Sequence, residues 1–258
     1  MSTLSQNQVN QFIVDGYVKL NDAVPGDICS AIKEILWKDM DVDKDDPSTW
    51  TKAVIRLGFY NEEPFNKAVN MPALTSAYDQ LAGANKWVPR DSIGTFPVRF
   101  PSNEDPGDTG WHVDSSFAGT DVNDYSKWKI NVFSKGRALL MLFIFSDTGE
   151  SDAPTVIKKG SHMDVARVLE PYGEEGLTFM ELTPHLSSIN RPEVMATGPA
   201  GTVYLCHPFI VHAAQPHRGT LPRFLAQPAL ELKEPLRLTG RSKNAPLIEK
   251  AIMLALGR

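Results

Sequence analysis

The run Ala138–Phe145, ALLMLFIF, narrows the fold more than any other part of the chain. A continuous apolar stretch of this length reads as a strand buried on both faces. From Ile93 onward, further strand-like runs recur between clusters of Pro, Gly, Asp and Ser. They are Ile93–Phe100, Trp111–Asp114, Thr155–Ile157, Val194–Ala196, Thr202–Cys206, Ile210–Ala214 and Phe224–Leu232. Ahead of them the pattern is helical. Leu4–Asp15 carries Val9, Phe12 and Ile13, with Ser5 as N-cap and Gly16 as the stop before a short strand, Tyr17–Leu20. Pro25 opens a second helix to about Trp37, with Ile28, Ile32, Ile35 and Leu36 on one face. Helical pieces lie between Ser161 and Leu186, and Pro246–Leu256 reads as an amphipathic helix. Many short strands with helices around them predict a mainly β fold with flanking helices, a double-sheet jelly roll.

At 258 residues the chain is long enough for one sizeable core. We therefore expect a single domain over 1–258, with the jelly-roll core at about 92–232, N-terminal helices at 4–38 and a C-terminal helix at 246–256. A formal net charge of −5 gives no electrostatic case for nucleic acid or an anionic membrane surface. No run of eighteen apolar residues and no secretory signal pattern is visible. Cys29 and Cys206 form no CxxC and no disulfide framework, so a reducing, cytoplasmic setting is expected. The acidic stretch Asp39–Asp46 lacks the glycine and terminal glutamate of a calcium loop and reads as solvated loop.

The chemistry concentrates in Trp111-His112-Val113-Asp114. On a strand, residues i and i+2 share a face, so His112 and Asp114 converge on one ion. A third ligand from elsewhere would complete a facial triad of two histidines and one carboxylate. That set leaves adjacent positions open and suits Fe(II) that binds a cosubstrate and O2 together. Zinc prefers a closed tetrahedral site or one with a single water. The remaining histidine candidates are His162, His185, His207, His212 and His217. His207 and His212 are an odd number of residues apart with Pro208 between them, so at most one of the two is a ligand; His212 sits in the next apolar run. Eleven residues after His212 comes Arg223, across QPHRGTLP. A hairpin of that length predicts the two on neighbouring antiparallel strands, both pointing inward. An inward arginine needs an anion. A diacid cosubstrate would chelate the metal at its oxo-acid end and meet Arg223 with its far carboxylate. The alternative is a structural pair with a protein acid.

Four features together resemble the phytanoyl-CoA dioxygenase family of Fe(II)/2-oxoglutarate oxygenases. They are the opening LSQNQVNQFIVDGYVKL, the segment GWHVDSSF, the stretch APTVIKKGSH after the buried strand, and GPAGTVYLCHPFIVHAA followed by Arg223. They span roughly residues 4–230. The resemblance implies a double-stranded β-helix, jelly-roll or cupin-like. It implies His112, Asp114 and His212 as iron ligands and Arg223 as partner of the distal 2-oxoglutarate carboxylate. It also implies O2 as cosubstrate, succinate and CO2 as coproducts, and hydroxylation or a related C–H oxidation of a small-molecule substrate. Family members often carry a hydroxyl residue two positions after the distal histidine, and here that position is Ala214. Thr202 and Tyr204 are candidate helpers by strand location. Halogenating relatives replace the aspartate with a small residue, so Asp114 points away from halogenation. His162 in the Gly-Ser-His loop is expected to pack or cap.

Around this set, Arg99 would meet the metal-bound carboxylate, an acidic group of the substrate, or a protein acid at a strand end. Trp111 faces away from His112 by parity and is expected to pack. Ser116 shares the ligands' parity and Ser115 does not. The polar connection Phe117–Lys135 with Trp128, and Asp45–Tyr60 with Trp50, Arg56 and Tyr60, are candidate substrate walls. No polybasic groove fit for CoA phosphates is evident, though Lys52, Lys127, Lys129 and Lys135 leave that open. Two other functions compete: a non-catalytic jelly roll that binds metal and 2-oxoglutarate as a sensor, and a zinc-dependent hydrolase needing a general acid/base beside the metal.

Overall fold

The hydroxyl of Ser5 accepts from the backbone N–H of Gln8, whose side chain answers the Ser5 N–H, and this capping box starts the first helix. The computed structural model describes residues 4–238 and 245–258. The first half of the chain contains α1 (Gln6–Asp15), β1 (Tyr17–Leu20), α2 (Gly26–Lys38), β2 (Val54–Leu57), α3 (Glu63–Val69), α4 (Pro72–Ala82), β3 (Phe96–Arg99) and β4 (Lys129–Ile130). The second contains β5 (Leu139–Ile144), β6 (Val156–Lys158), α5 (Ser161–Leu169), β7 (Leu177–Thr178), α6 (Phe179–Leu186), β8 (Glu193–Met195), β9 (Val203–Cys206), β10 (His212–Ala213), β11 (Leu225–Ala226), β12 (Ala229–Leu230) and α7 (Leu247–Ala255).

β5, inside the ALLMLFIF run, is buried at every position. It is the hub of the larger sheet, in the order β1-β9-β5-β11 with β12 also on β5. Its two faces serve different layers, as the two-residue period of a strand dictates. Leu139, Met141 and Phe143 join a large core with Ile32 and Leu36 of α2, Leu74 and Tyr78 of α4, and Ile248 and Ile252 of α7. Leu140, Leu142 and Ile144 face Ile157 and Ala196, on the side of the smaller sheet β10-β6-β8. Each fully buried aliphatic side chain here contributes roughly 1.5–3 kcal/mol. The observed pairings are antiparallel. The architecture is thus mixed helix and antiparallel sheet.

Several elements differ from the sequence expectation. Helices α3 and α4 were not anticipated, although each carries a proline in its first turn, Pro64 and Pro72. They raise the helical share above a mainly β description. β1 pairs with β9, so the larger sheet recruits a strand from ahead of residue 92. Trp111–Asp114 is not a strand but carries a single bridge, His112 to His212. Phe224–Leu232 splits into β11 and β12 around Gln227-Pro228, where the Gln227 N–H leaves the ladder for Thr95 O. The C-terminal helix forms as expected, as α7, and α1, α4 and α5 cover most of it, with Leu254 turned outward.

His162 and His207 pack in this helical layer. The His162 ring lies 4.8 Å from that of His207, and its Nε2 meets Ile13 O at 3.1 Å. His162 fits because Gly16, at φ 81°, caps α1 without a Cβ, which would stand 2.4 Å from His162 Nδ1. Burial pushes the His162 pKa down to about 4 and that of His207 well down. Their unfolded values lie near 6.5, so between about pH 6.5 and 4 the unfolded chain binds more protons than the folded one. Stability should therefore fall as pH falls through that window, by roughly 1 kcal/mol per pH unit from His162, with His207 acting in the same direction. Urea unfolding of the metal-free protein at pH 7 and pH 5 reads this, and His162→Phe should flatten the slope if the variant stays folded.

Candidate metal centre

His112 and His212 form one hydrogen-bonded antiparallel pair, each N–H donating to the other's carbonyl at 3.0 Å. Directly opposed residues present their side chains on one face, and the two rings lie 4.3 Å apart. His112 Nδ1 is 2.8 Å from Gly110 O, and His212 Nδ1 is 3.2 Å from Ile210 O. A carbonyl only accepts, so each Nδ1 carries the proton and each Nε2 keeps its lone pair. Both Nε2 atoms face Asp114, whose Oδ1 lies 3.7 Å from one and 3.8 Å from the other. One ligand atom from each of the three residues falls within 4.8 Å of the others. Two neutral imidazoles and one carboxylate oxygen, with the tautomers fixed from behind, are a donor set suited to a divalent transition ion.

Asp114 has a second partner that sequence reading missed. Arg137 Nη1 donates to Asp114 Oδ2 at 2.7 Å, and Arg137 Nη2 donates to Ser115 O at 3.1 Å. The turn before β5 delivers it. Ser134 Oγ donates to Arg137 O at 2.7 Å, and Gly136, at φ 84°, lies where a Cβ would meet Ser116 O at 2.3 Å. Burial pushes the Asp114 carboxyl up, but Arg137 and the two imidazoles more than reverse this, to about 2. Burial, then His112, takes His212 down to about 4. At neutral pH the carboxylate is charged and His212 neutral, the forms that ligate.

A cavity of about 160 Å³ opens beside the two histidines. Its wall also holds Arg99 and Arg223, with Thr155 and Ala214. Arg223 is 2% exposed. Its Nη1 donates to Ala153 O, its Nη2 donates to Pro97 O at 3.0 Å, and its Nε has no partner. No protein carboxylate pairs with it among the described residues. Burial, then the neighbouring Arg99, lowers its pKa to about 9. The expected hairpin between His212 and Arg223 does not form. β10 pairs with β6 in the smaller sheet, while Arg223 bridges Arg99 and leads into β11 of the larger one. The two reach one cavity from opposite sheets.

The other candidates divide. Arg99 and Arg56 both line this cavity and share Asp108, Arg99 Nη2 meeting its Oδ1 at 2.6 Å and Arg56 meeting its Oδ2. Thr202 is not brought here. It lies beyond β5 from β11, its side chain against Gly198 and its buried Oγ1 without a partner. Tyr204 donates to Thr197 O instead. Two cavity-lining hydroxyl residues were missed, Thr95 and Thr155, and Thr155 is the one beside Ala214. Ala213 pairs with Val156, so the next step of that register sets Thr155 opposite Ala214. Ser116 is tied by its N–H to Lys129 O at 2.8 Å and does not line the cavity. Trp128 donates to Val122 O at 3.1 Å and packs on Tyr125. Tyr125 is the aromatic of that segment electrostatically coupled to Asp114. The side chain is half-exposed, and partial desolvation, then the Asp114 charge, raises its phenol pKa. Trp111 packs against the large core, with the Lys158 ammonium 4.6 Å above its ring.

No protein-family model and no curated protein matches this sequence. Solved structures do match. SnoK, a non-heme alpha-ketoglutarate-dependent carbocyclase from nogalamycin biosynthesis, is 18% identical at a TM-score of 0.62, over 94% of this chain and 93% of its own. HygX from Streptomyces hygroscopicus, solved with nickel and 2-oxoglutarate bound, is 13% identical at a TM-score of 0.59, over 90% of this chain and 88% of its own. SnoN, a non-heme alpha-ketoglutarate-dependent epimerase from nogalamycin biosynthesis, is 14% identical at a TM-score of 0.54, over 88% of this chain and 82% of its own. At these identities the likeness is one of fold, and this chain folds as non-heme alpha-ketoglutarate-dependent enzymes do.

Proposed function

We propose that this chain is an Fe(II)- and 2-oxoglutarate-dependent oxygenase that hydroxylates, or otherwise oxidises at C–H, a small-molecule substrate. In this reading residues 1–258 are one cytoplasmic domain built on a double-stranded β-helix, of the type found in the phytanoyl-CoA dioxygenase family. One observation carries the proposal: the two histidines of the His112–Asp114–His212 donor set line a cavity with Arg223, a buried guanidinium that forms no ion pair with a carboxylate among the described residues. An unpaired buried charge is costly, and an anion reaching from the metal to Arg223 relieves it. A five-carbon diacid has the right charge at both ends. Fe(II) held there would supply O2 chemistry. The chain's own residues fix the rest. Gly110 O and Ile210 O hold the imidazole tautomers, Arg137 holds Asp114 ionised, and Arg223 receives the distal carboxylate with Thr155 supplying the hydroxyl that Ala214 lacks.

A zinc hydrolase fits less well. Besides Asp114, the acid nearest this cavity among the described residues is Asp108, and both its oxygens are held by arginines. A general base needs a free carboxylate or imidazole. No helix among the described residues is long and apolar enough to cross a membrane.

Anaerobic loading with Fe(II) and 2-oxoglutarate, followed by O2, should yield succinate, slowly without substrate and faster with the right one. Stoichiometric iron and tight 2-oxoglutarate binding, with no succinate under any candidate substrate, would instead favour the sensor reading.

A further inference from the structure

Arg99 and Arg223 are antiparallel bridge partners, each N–H donating to the other's carbonyl at 3.1 and 2.8 Å. Opposed residues of such a pair project to one face, and both side chains line the same cavity. Each arginine is 2% exposed. Three of their donors, Arg99 Nε, Arg99 Nη1 and Arg223 Nε, are buried with no partner. Asp108 meets only Arg99 Nη2, and its other oxygen is taken by the exposed Arg56. Three arginines therefore face one aspartate. Two neighbouring buried guanidiniums repel each other, and one carboxylate does not satisfy both.

We propose that Arg99 is a second binding residue for the distal carboxylate of 2-oxoglutarate, gripping it together with Arg223 while Asp108 holds the Arg99 guanidinium in place. This rests on the function proposed above and deepens it. The cavity is then a clamp for a dicarboxylate. The cosubstrate's far carboxylate accepts from a free nitrogen donor of each arginine, and Asp108 keeps the pair of arginines compatible when the cavity is empty. The clamp discriminates at the far end only. A 2-oxo acid without the distal carboxylate still reaches the metal but gains nothing from Arg99.

The test is calorimetric binding, without O2, of 2-oxoglutarate and of 2-oxopentanoate to the nickel-loaded full chain. In Arg99→Gln the 2-oxoglutarate affinity should fall roughly 10- to 100-fold, the range for charged hydrogen bonds, with 2-oxopentanoate binding unchanged. Equal weakening of both ligands would mean that Arg99 serves the oxo-acid end. No weakening of either would make it merely the partner of Asp108. Either result overturns the clamp and leaves the proposed function standing. Wild-type protein that binds neither ligand overturns the proposed function, and the clamp with it. Should Arg99→Gln fail to fold, Asp108→Asn decides. Asparagine still accepts from Arg99 but removes a charge that competes with the ligand, so 2-oxoglutarate should bind up to about fivefold tighter. If Arg99 and Asp108 form only a structural pair, Asp108→Asn leaves the affinity unchanged or weakens it, and the clamp is wrong.

Discussion

Asp114→Ala protein should bind Fe(II) more than about 100-fold more weakly than the parent, and lose 2-oxoglutarate turnover with it. Removing a group that only supports a ligand already costs about 10–100-fold in metal affinity, so loss of a ligand costs more. The effect is large because the substitution acts twice. It deletes the one anionic donor, leaving two imidazoles 4.3 Å apart, and it leaves the Arg137 guanidinium, now without its carboxylate, beside an incoming cation. The fold should tolerate the change, since Asp114 belongs to no regular strand and Arg137 retains Ser115 O. Equilibrium dialysis with metal analysis under anaerobic conditions measures it, and circular dichroism checks the fold. Full iron affinity in the variant would place the metal elsewhere and remove the basis for the proposed function.

What could be read from sequence follows the range of the interaction. Ser5, Gly16 and the helix and strand they separate were legible because capping and left-handed turns are decided within a few residues. The run containing β5 was legible because burial on both faces leaves no polar position. His112 and Asp114 were legible as a pair by i, i+2 spacing, yet the structure places them on a bridged segment rather than a strand. The His112–His212 pairing, not strand parity alone, aims them. Arg223 was found by its distance from His212, but for the wrong geometric reason. A hairpin was expected, and the chain instead crosses from one sheet to the other, so the two side chains reach one cavity from different sheets. Thr155 and Arg137 were not legible. Thr155 reaches the cavity only through the β6–β10 register. Arg137 reaches Asp114 only because the Ser134–Arg137 turn folds onto Ser115 and Ser116. Neither relation leaves a periodic trace along the chain.

Arg137→Met should lower Fe(II) affinity by about 10–100-fold, and unlike Asp114→Ala it should do so in a pH-dependent way. Methionine has a similar reach and can occupy the arginine's place, but it leaves Asp114 Oδ2 without its 2.7 Å donor. In the parent, Arg137 is the foremost of the charges that take the Asp114 carboxyl down to about 2 against the opposing effect of burial. Without it the carboxyl pKa rises. Metal binding then competes with a proton at a higher pH, because only the carboxylate ligates. The deficit should therefore be larger at pH 5 than at pH 7.5, whereas the parent's Asp114 stays ionised at both. Arg137→Lys, which keeps the charge but not the two-pronged grip on Asp114 and Ser115, should recover the pH profile better than the affinity. The paired titrations separate two roles. A purely structural arginine would lower affinity equally at both pH values in the methionine variant, and lysine would restore nothing specific to low pH. A deficit that widens on acidification and closes with lysine marks Arg137 as the residue that keeps the carboxylate of this centre charged and aimed.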